Sequence, residues 1–418
     1  MLLTRQQVRL LLPLGVAVAL SLTGDSTLYA VLANQTEVVG ITLGMVGVLL
    51  GVNRLVRVPG NLVAGALNDR MGRRRLFLGG LFLGILSTLG YGLVWGFWPF
   101  FATRLLWGIA WALINVGAYN MVLDWSLPEN RGRMTGLYQI SYMLGLALSP
   151  ILGGVLTDAL GFRSAVFVCA VVSSVGLLVA FVALPETRRR PDRAVAGGGR
   201  AHRSWAQVAD TLRKVDRQVL AAAYVYLTVY FVSSGVLVST ISLYLGQQWD
   251  TAISLAGAVI GVASLAGIML ALRASLGMLA GPLAGAMSDR LENRWPVVWA
   301  GILLGAAGFM LLVLVAELWA MLVGVALVSL SAGALLAVLA ALVGDRAAGD
   351  RQGVMMGALA AAGDIGSAAG PILAYALAAR LELRWVYLLC AIVLASGLIV
   401  SGGHRAAKQG PNREPDCG

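Results

Sequence analysis

Twelve long apolar runs follow one another along the chain, near residues 9–33, 39–67, 76–96, 99–123, 134–159, 163–184, 218–246, 254–286, 296–316, 318–343, 353–379 and 384–402. Crossing about 30 Å of hydrocarbon takes about 20 apolar residues in a helix. Lipid offers backbone N–H and C=O groups no partner, so an unclosed chain must satisfy them within each segment, and the helix does so. The composition agrees. Of 418 residues, 59% are hydrophobic and only 12% charged, too few charges to cover a soluble surface of that size. The 52 glycines fit the same setting, because small residues let membrane helices approach closely.

A net charge of +11 raises the question of a nucleic-acid partner. The basic residues lie in short loops between apolar runs, however, so no nucleic acid is expected. Their distribution speaks to topology instead, since Lys and Arg accumulate in cytoplasmic loops. With the N-terminus inside, the inner loops hold Arg70, Arg73, Arg74 and Arg75, then Arg131 and Arg133, then the stretch from Arg188 to Arg217. Later inner loops hold Arg290, Arg294, Arg346 and Arg351, whereas the outer loops hold Arg163, Arg380 and Arg384. The expectation is a multi-pass protein of the plasma (inner) membrane with both termini cytoplasmic. Arg5 and Arg9 precede the first run as they would in a secretory leader, but the run's length and the even span count make it the first span.

Hydropathy breaks after the sixth run, giving a first bundle at 1–187, a basic linker at 188–217, a second bundle at 218–402 and a tail at 403–418. In the linker, Trp205, Val208, Leu212 and Val215 fall at helical spacing, which suits an amphipathic helix on the lipid surface; a plain solvated linker is the alternative. Cys169, Cys390 and Cys417 make neither a disulfide framework nor a zinc spacing, and His202 and His404 lie in polar segments. No metal or other cofactor is expected.

The two bundles are copies. Gly65 to Arg70 (GALNDR) matches Gly285 to Arg290 (GAMSDR). Gly145 to Leu152 (GLALSPIL) matches Gly366 to Leu373 (GSAAGPIL), at an offset only one position longer. Asp124 with Asp345, Gly136 with Gly357 and Cys169 with Cys390 keep that second offset. Six spans preserve direction, so the copies are parallel repeats, and a substrate site is expected at their interface near the midplane.

Gly65, Asp69, Arg70, Gly72, Arg73 and Arg74, spaced GxxxDRxGRR, resemble the signature loop between helices two and three of the major facilitator superfamily. Leu184, Pro185, Glu186, Thr187 and Arg188 resemble the motif that often ends that family's sixth helix, and Arg104 with Gly108 its helix-four motif. Gly145, Pro150, Gly153 and Gly154 resemble the helix-five motif of its drug:proton antiporter branch, with Ser149 where that branch usually has Gly. The resemblance covers nearly the whole chain. It implies an all-α membrane protein of twelve transmembrane helices in two pseudo-symmetric six-helix bundles. It also implies a cytoplasmic gate at Gly65, Asp69, Arg70, Gly72 and Arg73, repeated at Asp289 and Arg290. When the site faces out, Asp69 would latch the halves by meeting the positive end of helix eleven, and Asp289 would act likewise towards helix five. Helices one, four, seven and ten would line the central cavity, adding Tyr226, Tyr230 and Ser233 as lining candidates.

Charges deep in a membrane are costly and point to function. At 1.5 Å per residue, Asp25 lies roughly 24 Å along helix one, Arg54 and Arg57 roughly 22 and 18 Å from Asp69, and Arg104 roughly 30 Å from Asp124. Arg273 lies roughly 24 Å from Asp289, and Asp364 roughly 18 Å into helix eleven. Helical stripes carry them: Ser21, Asp25 and Tyr29; Arg54, Arg57, Asn61 and Asn68; Arg104, Trp111, Asn115 and Tyr119. Asp25, with Arg104 as partner, and Asp364 are the candidates for proton coupling, because a desolvated carboxylate holds its proton more tightly and a nearby arginine reverses this. A static ion pair of Asp25 with Arg104 or Arg54 is the alternative. Tyr29, Arg54, Arg57, Asn115, Tyr119, Tyr226, Tyr230 and Arg273 are the candidate substrate cavity.

These features point to a secondary active transporter, a monomer working by alternating access, that exports small amphipathic or drug-like molecules in exchange for protons. The four deep arginines against two carboxylates leave open a symporter or uniporter of an organic anion. A non-transporting sensor would need a soluble effector domain. An enzyme would need a nucleophile–base pair or metal cluster, and a directly ATP-driven pump a nucleotide-binding loop; none can be assembled from this sequence.

Overall fold

The computed structural model describes residues 5–126, 130–186, 216–249, 252–255, 258–291, 293–346 and 352–402. Among the described residues, twelve helices are long and apolar enough to span a membrane. α1 runs as Arg5–Ser21 and Thr23–Val31 and ends in a 3-10 turn, Leu32–Asn34. α2 (Leu43–Met71), α3 (Arg73–Leu93), α4 (Phe97–Trp125), α5 (Arg131–Leu160) and α6 (Phe162–Ala183) complete the first half. α7 runs as Arg217–Val229, a π-helical turn Tyr230–Leu237, and Val238–Trp249. α8 (Val262–Asp289), α9 (Trp295–Leu314), α10 (Leu318–Arg346), α11 (Gln352–Ala378) and α12 (Leu383–Gly402) complete the second.

Short connections keep consecutive spans antiparallel. Gly72 and Gly161 enter α3 and α6 with φ of 93° and 79°, a left-handed conformation that a β-carbon would strain. The packing repeats six helices on: α3 lies on α4 and α6 as α9 lies on α10 and α12, and α2 lies on α4 as α8 lies on α10. The halves meet along two crossings, α5 on α8 and α2 on α11. Large apolar side chains such as Val182, Leu283 and Ile399 stand exposed on the outside, where lipid is their natural solvent.

Two departures from the sequence reading matter. The start of the eighth run is a hairpin, Ala252–Leu255 paired antiparallel with Ala258–Gly261, and the helix begins at Val262. Hydropathy alone does not separate a short apolar strand from a helix, so the apolar run takes in the hairpin. The π-helical turn in α7 is equally silent, since a locally widened turn leaves the apolar length unchanged. The linker helix expected around Trp205 and the tail at 403–418 lie outside the described residues.

Candidate functional site

The halves are joined at one end and parted at the other. At the end away from the basic loops, a side chain on Gly154 would collide with the Ala263 carbonyl of α8, and one on Gly267 with the Pro150 carbonyl of α5. Gly47 and Gly51 meet the backbone of α11 in the same way. Such contact requires glycine, because backbones this close leave no room for a β-carbon. Asp158, near the end of α5, accepts hydrogen bonds from the backbone N of Ser264 at 2.7 Å and from its hydroxyl at 2.5 Å. A carboxylate from one half therefore caps the first turn of a helix in the other. Asn34 adds a second tie, donating from Nδ2 to the Ser242 carbonyl at 2.9 Å.

At the basic-loop end the corresponding glycines Gly65, Gly136, Gly285 and Gly357 would meet nothing within 4 Å. Arg73 and Arg294 there bind within their own halves. Arg73 donates from Nε to Asp124 at 3.0 Å and from a terminal nitrogen to the Asn68 carbonyl at 3.2 Å, and its backbone N donates to Glu186 at 3.2 Å. Arg294, its counterpart in the repeat, donates from Nε to Asp345 at 2.8 Å and from a terminal nitrogen to Ser288 and Asp289, each at 2.6 Å. With the halves parted here, Asp289 is held by Arg294 of its own half; the latch expected of it towards α5 belongs to the state in which the site faces out. The side chains of Asp69 and Arg70 lie outside the description, and Arg290 is exposed.

Between the seal and the parted ends lies a cavity of about 320 Å³, walled by both halves. Asp25, Tyr29, Arg54 and Arg57 face it from α1 and α2, and Tyr230 and Arg273 from α7 and α8. Trp111 and Tyr142, with rings 5.6 Å apart, add an aromatic wall.

One carboxylate organises the first half. Oδ1 of Asp25 accepts from a terminal nitrogen of Arg104 at 2.5 Å and from Nδ2 of Asn53 at 3.1 Å. Oδ2 lies 4.0 Å from Arg57. Arg104 is 0% exposed, so its charge needs partners on every side. It donates from Nε to the Leu49 carbonyl at 2.8 Å and from the same terminal nitrogen to the Tyr91 hydroxyl at 3.2 Å, and lies over the rings of Tyr29 and Tyr91. An arginine at the bilayer centre costs about 2.5–3.5 kcal/mol on insertion scales, and this network offsets it. Arg57 lies over Trp111, 5.4 Å from the ring centroid. Arg54 donates from Nε to the Tyr29 hydroxyl at 3.3 Å.

Among the described residues, the second half offers no such carboxylate. Arg273 donates from one terminal nitrogen to Ser233 at 3.2 Å and Ser234 at 3.0 Å, and its Nε has no partner there. Adjacent residues of a regular helix point about 100° apart. The π-helical turn at Tyr230–Leu237 is what brings both serine hydroxyls to one guanidinium. A side chain on Gly235, in that turn, would strike Gly370 of α11, so the widened turn is seated against the neighbouring helix.

The structure corrects several expected positions. Arg104 does not face the cavity; it is sealed behind Asp25, inside the first half. Asn115, Tyr119 and Tyr226 do not line it either. They sit one or two turns nearer the basic-loop end than Trp111 and Tyr230, where the halves have parted. There Tyr119 donates to Gln139 at 2.8 Å and Tyr226 packs on Tyr230. Asp364 is half-buried on α11 and is not part of the wall. Sequence reasoning does not single out Asn53, Tyr91, Asp158 or Ser234. A signal for Asn53 exists, since the offset that aligns Asp69 with Asp289 places Asn53 opposite Arg273.

Comparison with known proteins agrees with this architecture. The family model described as Major Facilitator Superfamily matches residues 14–276 and again 263–415. The tetracycline resistance protein, class C, of Escherichia coli is 27% identical over 374 residues, covering 84% of this chain and 87% of that protein. The multidrug resistance protein MdtG of Dickeya zeae is 26% identical, covering 83% of this chain and 81% of its own. Among solved structures, a bacterial homolog of the human lysosomal transporter Spinster, inward-facing and unoccupied, superposes with a TM-score of 0.73 at 15% identity over 95% of each chain. Twelve spans, an internal duplication, a midplane cavity shared by two halves and a family match along nearly the whole length lead to one conclusion: the chain belongs to the major facilitator superfamily and is a multi-pass membrane transporter of small molecules, not an enzyme.

Proposed function

We propose that the chain is a proton-coupled exporter of small amphipathic or drug-like molecules, acting as a monomer in the inner membrane with its basic-loop face and both termini in the cytoplasm. The structure then corresponds to the state open to the cytoplasm, and the outer seal must part in exchange for closure at the basic-loop end. One observation carries the reading: Asp25 faces the cavity and is at the same time the counter-ion of the fully buried Arg104. A proton taken up on the cavity-side oxygen turns a charge-assisted bond into an ordinary one. Arg104 keeps Leu49 and Tyr91 but loses its neutralising partner, so protonation and the packing of α1, α2 and α4 are linked. Loss of the proton on the other side restores the pair.

Reconstituted protein in liposomes with a trapped pH dye tests this. Asp25→Asn is expected to lower pH-driven transport at least tenfold while downhill exchange of cargo continues. Proton movement coupled to cargo in that variant, at wild-type stoichiometry, removes Asp25 from the mechanism. The alternative, symport or uniport of an organic anion, is favoured by the arginines that lack carboxylate partners. It predicts proton flow alongside the cargo, or none, where exchange predicts flow against it.

A further inference from the structure

Arg54 and Arg273 stand on opposite halves of the molecule and line the same cavity. Among the described residues neither has a carboxylate within 4.0 Å. Arg54 has the Tyr29 hydroxyl and ring, and Arg273 has two serine hydroxyls and an Nε without a partner. The third cavity arginine, Arg57, lies 4.0 Å from Asp25 and over Trp111, with its Nε also unpartnered. Asp25 is already committed to Arg104. Four deep arginines thus face two carboxylates, and the second of these, Asp364, pairs with none of them within 4.0 Å.

Guanidinium groups left in this condition inside a membrane need an anion. Their placement suits one kind: two planar forks that line one cavity from different halves match an oxyanion that can accept from both. Ser233 and Ser234, which line the cavity beside it, accept hydrogen bonds from the Arg273 fork. Much of the rest of the wall is apolar or aromatic, and Trp111, Tyr142, Met143 and Met278 are placed to take a hydrophobic body.

We propose that the cargo of this cavity is an amphipathic anion, its carboxylate or comparable oxyanion seated between Arg54 of α2 and Arg273 of α8 and its apolar body against Trp111 and Tyr142. The proposal rests on the reading of this cavity as the cargo site, and it adds the charge of what is carried. Binding there also neutralises two like charges that line one cavity from different halves. A cation of the same shape meets three arginines and is disfavoured.

The test uses three compounds of one skeleton: 2-naphthoate, 2-naphthalenemethanol and 2-naphthylmethylammonium. Each is titrated calorimetrically into the purified full-length protein. The carboxylate is expected to bind at least tenfold more tightly than the alcohol, with the ammonium weakest. Arg273→Gln and Arg54→Gln are each expected to remove at least tenfold of the carboxylate's advantage over the alcohol, with thermal unfolding in detergent showing that the variants are folded. Arg273→Lys is expected to keep part of it. A carboxylate that does not bind, an ammonium that binds as well, or an unaltered carboxylate-to-alcohol ratio in both glutamine variants overturns the proposal. Liposome transport separates its failure from that of the transporter reading. Alcohol or ammonium moved with naphthoate ignored leaves the transporter standing and sinks the anion. Naphthoate bound with the expected preference but no compound moved leaves the anion site and sinks the transporter.

Discussion

The two halves solve the same problem differently. In the first, Arg104 is sealed from the cavity and answered by Asp25, Leu49 and Tyr91. In the second, Arg273 faces the cavity and is answered by two hydroxyls. The position of Arg104 in the repeat is taken by Val325, and that of Arg273 by Asn53. At the basic-loop end, by contrast, the Arg73–Asp124 and Arg294–Asp345 pairs occupy equivalent positions in the repeat. Duplication has kept the loop-end clusters and diverged in the interior. The interior is where the halves must differ if one is to handle a driving ion and the other a passenger.

The sharpest way to break this contrast is to remove the counter-charge from each half in turn. Asp25→Ala strands a fully buried arginine and is expected to destabilise the protein by about 3–5 kcal/mol, with Asp25→Ala/Arg104→Leu regaining most of the loss. Arg273→Leu removes a cation that no carboxylate answers among the described residues and is expected to be neutral or stabilising. Thermal unfolding in detergent measures both, and equal destabilisation by the two changes would abolish the distinction. A smaller effect belongs to the seam between the halves. Asp158→Asn keeps the acceptor oxygen but loses the charge at the start of α8, and Asp158→Ala is expected to cost about 1 kcal/mol, as helix caps do. Ser264→Ala should add little to Asp158→Ala if the two act as one contact. The smallest effect tests the likeness of the halves. Arg73→Gln and Arg294→Gln break partly exposed pairs and are each expected to cost about 0.2–1 kcal/mol, matching one another within error.

Much of this is legible in the sequence. Length and hydropathy dictate the twelve spans, because lipid leaves a backbone few choices. A near-constant offset between matching segments, from Asp69 with Asp289 to Cys169 with Cys390, exposes the duplication. Asp25 announces an ion pair with a deep arginine, since neither charge is tolerable alone at that depth, but the sequence leaves the partner open between Arg104 and Arg54 and the structure picks Arg104. What escapes is local and angular. Helical periodicity aligns Asn115 and Tyr119 with Trp111 correctly as a stripe, but a stripe does not say how far down a helix the neighbouring half stays close. The π-helical turn changes the direction of Ser234 without changing any residue type. Asp158 reads as an ordinary charge at the end of a span until Ser264 of the other half is placed beside it.

A molecule fastened at one tip and free at the other has leverage. α2, α5 and α8 are 28 to 30 residues long, roughly 42–45 Å at 1.5 Å per residue. From the Gly154–Gly267 crossing to the far tips the arms are 22 to 23 residues, roughly 33–35 Å at 1.5 Å per residue, so a tilt of about 10° there sweeps those tips by about 6 Å. Small rearrangements beside a fulcrum are enough to open or shut a passage several ångströms wide, and the stiffness of the long arms, rather than any soft loop, is what carries the stroke.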